Sequence, residues 1–174
     1  MRQSISFPVL IALLFCAGSV SYADETVQSP AQKTFEKLKA TSGNWIGKST
    51  KGWEDTTTIK VVAGGSVIVE ESFGAHPNET MYTMYHMDGD RLLLTHYCVA
   101  KNQPRLMATE FSANGDTVTF TFLDGTGMKS RDVGHMDKVR MVFLDDDHFT
   151  SQWTWYQTGK EDWMEEILNE RVKK

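Results

Sequence analysis

From Trp45 onward, hydrophobic and polar residues alternate with a period of two. Val118, Phe120 and Phe122 alternate with Thr117, Thr119 and Thr121; Phe149, Ser151, Trp153 and Trp155 alternate with Thr150, Gln152 and Thr154. Such alternation marks half-buried β-strands. The pattern predicts strands over Trp45–Thr50, Thr56–Ala63, Val67–Phe73, Thr80–Met87, Arg91–Cys98, Arg105–Phe111, Thr117–Leu123, Val139–Leu144, Phe149–Tyr156 and Trp163–Val172. Short turn signals separate most of them: Gly64-Gly65-Ser66, Asp88-Gly89, Ala113-Asn114-Gly115-Asp116, Asp145-Asp146-Asp147 and Thr158-Gly159-Lys160. Gly125–Asp137 reads as one long irregular link. Ahead of the strands, Ala31–Ala40 places Phe35 and Leu38 three apart among charges, which suits one short amphipathic helix. About ten short strands joined in order by tight turns predict an all-β fold, a single up-and-down antiparallel β-barrel. A β-sandwich is the alternative, but it needs crossover connections and these links are nearly all hairpins.

The chain begins differently. Met1–Ala23 has one basic residue, Arg2, then an apolar run from Ile5 to Ala17, and ends in Ser21-Tyr22-Ala23. This predicts a secretory signal peptide cleaved after Ala23. The competing reading, a lipoprotein site at Cys16, is disfavoured by the bulky Phe15 before it. Residues 24–33 are polar, hold Pro30, and read as a flexible leader to a barrel domain over 34–174. The expected location is the periplasm or the exterior, with no membrane insertion after cleavage. Loss of Arg2 takes the net charge from −5 to −6, and that modest, dispersed acidity argues against nucleic acid or an anionic membrane as partner. Cleavage also leaves Cys98 as the single cysteine, so no internal disulfide can form.

Gly43-Asn44-Trp45-Ile46-Gly47, straight after the short helix, resembles the G-x-W-x-G motif of calycin-type barrels, which include the lipocalins and the nitrobindin-like proteins. The Met84–Arg105 run is similar to one in uncharacterised exported bacterial lipocalin-like domains. The resemblance covers residues 34–174. It implies that Trp45 plugs the closed end of a barrel and that Arg171, from the last strand, lies across its ring. Nitrobindin-like proteins hold haem through a His late in the chain. The last two predicted strands here contain no His, and His148 falls at a turn, so no cofactor is expected in that manner.

Candidate chemistry concentrates in Tyr82–Arg105, which holds two His, three Tyr and Cys98. With Asp88-Gly89 as a two-residue turn, Tyr85 falls opposite Leu92, Thr83 opposite Leu94 and Met81 opposite His96. One face then carries Met81, Thr83, Tyr85, Leu92, Leu94, His96 and Cys98. The other carries Tyr82, Met84, His86, Arg91, Leu93 and Thr95. Arg91 belongs in water, which makes the first face the interior. His96 and Tyr85 could anchor the polar end of a ligand, or His96 could be a core imidazole satisfied by its neighbours. Arg105 could point inward and pair with a ligand carboxylate, or sit in solvent. Asn102-Gln103-Pro104 could rim the pocket mouth. Cys98 reads as a buried, inert thiol. His135 with Asp137, and the Asp145–Asp147 turn with His148, lack the ligand sets of a zinc or EF-hand site.

These readings predict an exported binding protein holding a small apolar or amphipathic molecule, lined by Met81, Thr83, Tyr85, Leu94, His96, Cys98 and Arg105. No paired carboxylates or nucleophile–base motif point to catalysis. An enzyme using His96 as general base, a nitrobindin-type haem protein and a ligand-free scaffold remain the alternatives.

Overall fold

The computed structural model describes residues 28–173. The predicted signal peptide lies outside them. Helix α1 (Pro30–Ala40) precedes ten strands: β1 (Gly43–Ser49), β2 (Glu54–Val62), β3 (Val67–Ser72), β4 (Met81–Asp88), β5 (Arg91–Tyr97), β6 (Gln103–Phe111), β7 (Thr117–Thr126), β8 (His135–Phe143), β9 (His148–Gln157) and β10 (Lys160–Arg171). Each strand pairs antiparallel with its sequence neighbours, and β10 pairs back onto β1 (Trp45 opposite Arg171), closing the barrel. The expected up-and-down barrel is the fold. Closure leaves no unpaired sheet edge.

The helix starts earlier than its hydrophobic pattern suggested. Ser29 caps it in a reciprocal box with Gln32, and Pro30 occupies the first turn, where its missing N–H costs nothing. Pro30 therefore opens the helix instead of belonging to a leader. The helix buries Ala31, Phe35 and Leu38 in the same cluster as Trp45, Ile59, Ile68, Leu92, Leu94, Leu106, Phe120 and Phe149 from inside the barrel. Each such fully buried Leu or Phe contributes about 2 kcal/mol by removal from water. This packed half is the closed end.

The β4–β5 pairing is shifted by two positions from the expected register, and the turn by one. Asp88 pairs with Arg91, so Gly89-Asp90 forms the turn, and Gly89 takes the left-handed conformation (φ 59°). Asp88 stays in the strand because its carboxylate bridges the Arg91 guanidinium across the last pair. Tyr85 consequently faces Leu94, and Thr83 faces His96. A shift of two preserves the face of every side chain, and Met81, Thr83, Tyr85, Leu92, Leu94 and His96 are all buried. Leu93 is buried as well, on the other face.

The predicted long link is shorter than its sequence pattern. Strand β7 continues through polar residues to Thr126, held by β6 (Gln103 opposite Thr126), and β8 begins at His135. Strands β7 and β8 pair only as far as Thr121 opposite Lys138. Arg131, from the link, fills the space where they part. Its guanidinium lies 4.2 Å from the Phe122 ring centroid and 3.9 Å from that of Tyr156, and it donates to the Asp137 carboxylate and meets Nε2 of the fully buried His135.

Candidate functional site: a hollow half-barrel

Beyond the packed half, the barrel interior is empty. A cavity of about 430 Å³ opens at the end away from α1. Alternation sets its walls: Gly47 of β1, Asp55 and Thr57 of β2, Glu70 and Ser72 of β3, Met81 and Thr83 of β4, and His96 of β5. The opposite wall is Met136 of β8, Ser151, Trp153 and Trp155 of β9, and Met164, Ile167 and Asn169 of β10. Trp53, Phe73, Val99 and Ala100, from connecting loops, stand at its mouth. The rings of Trp53 and Phe73 pack 5.4 Å apart. Ser151, Trp153 and Trp155 belong to the alternating run visible in the sequence, and all three face inward.

Two linked polar groups lie on the β3–β4–β5 wall. Strand register sets Glu70, Thr83 and His96 side by side across three strands, with neighbouring side chains about 5 Å apart at Cβ. Thr83 Oγ1 and His96 Nδ1 are 2.9 Å apart. His96 Nε2 is buried without a hydrogen-bond partner among the described residues. Its ring packs 4.8 Å from that of Trp153, and burial lowers its pKa from 6.5 to about 4. The imidazole is therefore neutral near pH 7. Which nitrogen carries the proton follows from how the Thr83 hydroxyl is turned.

Glu70 is anchored from the closed end. Its Oε2 accepts a 2.7 Å hydrogen bond from the Tyr85 hydroxyl, and Tyr85 packs edge-on against Phe120. Burial raises the Glu70 carboxyl above the usual range, while the Tyr85 hydrogen bond pulls it back. Burial first, and then the Glu70 charge and hydrogen bond, hold the Tyr85 phenol well above its ordinary value. The other two carboxylates on the wall have partners of their own. Asp55 accepts from the Ala75 N–H at 3.1 Å. Glu165 binds Lys51 and the Trp53 indole N–H, each at 3.0 Å.

Met81, Thr83, His96 and Cys98, expected from the sequence to line a pocket, do so. Cys98 is half-buried, 3.9 Å from the Met81 sulfur, and burial raises its pKa. Tyr85 lies one layer deeper, reaching the cavity through Glu70, and Leu94 is fully enclosed in the packed core. Arg105 does not line the cavity. It projects from the outer face and forms a forked pair with Asp124, both side chains about half exposed. A bulge next to Arg105 separates that pair from the inward Leu106–Phe122 pair. Asn102 does not rim the mouth either; it is buried and donates to the Gly134 carbonyl at 2.8 Å.

Sequence reasoning missed Glu70, Asp55 and Trp53. Glu70 follows Ile68 at a spacing of two, which alone would place it on the inner face. Its alignment with Thr83 was hidden because the link from β3 to β4, residues 73–80, is too long to set a register.

The closed end matches the layout implied by G-x-W. Trp45 is buried, its indole N–H donates to the Thr41 carbonyl at 2.8 Å, and the Arg171 guanidinium lies 4.2 Å from its ring centroid. No family model and no curated protein matches the chain. Among solved structures, the chain is similar to the crystal structure of a protein of unknown function from the DUF3598 family of Nostoc punctiforme, at 13% identity and a TM-score of 0.49. That match covers 78% of this chain and 49% of the other, so the chain spans about half the length of that protein.

Proposed function

We propose that the protein is an exported binding protein holding a small, largely apolar molecule in the hollow half of its barrel. The observation that carries this is the 430 Å³ cavity whose wall includes His96, a residue with a buried, unpartnered Nε2. A buried polar atom without a partner costs about 1–3 kcal/mol, and a ligand group bonded to it removes that cost. Trp153, Trp155, Met81, Met136 and Met164 supply apolar surface around it, the usual make-up of a small-molecule site. Export rests on the character of Met1–Ala23.

Haem of the nitrobindin type does not fit these residues. His148 opens β9, where the sequence suggested a turn, but its imidazole is exposed and bound to Asp145 at 2.8 Å. Among the described residues, the one imidazole on the cavity wall, His96, shares it with three carboxylates, which oppose the propionates of a porphyrin.

Displacement of a lipophilic fluorescent dye, with native mass spectrometry of protein recovered from a bacterial extract, tests the proposal. Dye binding in the micromolar range and a retained small molecule are expected. Neither at micromolar protein overturns it.

A further inference from the structure

We propose that the cavity selects a protonated amine with an apolar body, its ammonium group seated between the Glu70 carboxylate and His96 Nε2. This rests on the binding reading above and adds the chemical class of the ligand.

The charge inventory of the wall comes first. Asp55, Glu70 and Glu165 line the cavity, and among the described residues no Lys or Arg does. Arg105, which could have received a ligand carboxylate, is on the outer face with Asp124. A carboxylate ligand would therefore enter an acidic chamber with no cation to meet it. Glu165 is already served by the Lys51 ammonium and the Trp53 indole N–H, and Asp55 accepts a single N–H, from Ala75. Glu70 has only the Tyr85 hydroxyl, and its Oε1 has no hydrogen-bond partner among the described residues.

The second observation is independent of the carboxylates. His96 Nε2 is buried and unpartnered. When Nδ1–H donates to Thr83 Oγ1, Nε2 presents a lone pair. Glu70 and His96 flank Thr83 in one row across β3, β4 and β5. Two strand spacings, about 9.5 Å, separate the outer backbones, and the ammonium group would bridge the two side chains from the cavity. Its N–H bonds would satisfy Glu70 Oε1 and His96 Nε2 together.

The third is aromatic. Trp153, packed on His96, and the nearby Trp155 present ring surface to the same space, and indole faces attract a desolvated cation. A bound ammonium would also hold Glu70 ionised, offsetting the cost that burial places on its charge.

The test uses the whole exported chain and four probes sharing one apolar body: octylammonium, octyltrimethylammonium, 1-octanol and octanoate. Trp53, Trp153 and Trp155 report binding through their fluorescence. Octylammonium is expected to bind about tenfold more tightly than octanol, with octanoate weakest. Octyltrimethylammonium falls between octylammonium and octanol, because it brings charge but no N–H. Glu70→Gln collapses the octylammonium-to-octanol ratio towards unity, whereas Arg105→Ala leaves the ranking in place. Octanol or octanoate binding as tightly as octylammonium overturns the amine assignment and leaves the binding reading standing. No binding of any probe or of the dye overturns both. The wild-type ranking decides the matter even if Glu70→Gln fails to fold.

Discussion

The Arg171 guanidinium stacks 4.2 Å from the centre of the Trp45 ring while donating to the Ala40 and Ser42 carbonyls at 3.0 and 2.8 Å. One side chain thus joins the last strand, the first strand and the C-terminal end of α1. A cation also suits that helix end, where the backbone dipole leaves partial negative charge. Arg171→Ala is expected to cost about 3 kcal/mol, combining the cation–π contact with lost charge-assisted hydrogen bonds. Arg171→Lys should recover only part, since an ammonium lacks the planar fork. Urea denaturation midpoints measure both; a loss under about 0.5 kcal/mol for Arg171→Ala would show the stack to be ornamental.

Gly43 exists to make room for that stack. A Cβ there would sit 2.9 Å from Arg171 Nη1, and the φ of +146° is one that L side chains rarely adopt. Gly43→Ala is expected to destabilise by about 2 kcal/mol. In an Arg171→Ala background the steric share disappears and only backbone strain remains, so the double variant should cost less than the two single variants summed. Strict additivity in that double-mutant cycle would refute the clash.

His96 gives the fold a pH dependence of defined sign. Its folded pKa of about 4 lies below the unfolded 6.5, so the unfolded chain takes up its proton first as pH falls. Stability should drop between about pH 6.5 and 4, by at most about 3 kcal/mol from this group. Glu70, Asp55, Glu165 and Cys98 share the cavity with it. Of these, Glu70 acts oppositely, because its raised folded pKa makes it more favourable as pH falls. Comparing wild type with His96→Gln isolates the imidazole: the variant should show a shallower loss across that window. Superimposable pH profiles would remove His96 from the account.

Arg131 seals the gap between β7 and β8 by covering buried Asp137 and His135. Arg131→Met keeps a stem over Phe122 and Tyr156 but leaves Asp137 without its cation. Because the guanidinium is partly exposed, the cost is set at about 2 kcal/mol, below that of a fully buried pair. Hydrogen exchange should accelerate at the His135–Lys138 amides before it does in β4 or β5. Unchanged protection there would mean that the rings alone close the seam.

The barrel and most of the inner face were legible in the sequence because period-two alternation depends only on local spacing. Met81, Thr83 and His96 face inward as the alternation implies, even though the pairing differs by two residues from the expected register, since an even slip moves no side chain between faces. Arg105 was not legible. Its facing depends on a bulge between Arg105 and Leu106, and on Asp124 being opposite, neither of which leaves a local mark. Glu70 needed a register across an eight-residue link, and Arg131 needed the knowledge that two paired strands come apart. Strand identity is written in the chain, whereas alignment between distant strands is settled by packing.

The division of the barrel into a packed half and a hollow half has one more consequence. Trp45, Phe149, Phe120 and the apolar face of α1 form a single cluster whose members, apart from its edge, do not line the cavity. Folding and recognition therefore draw on separate sets of side chains. Residues at the open end can be exchanged for others of similar size with little penalty to the closed end. The same walls could be re-lined for a different guest, which makes this barrel a receptor frame open to redesign.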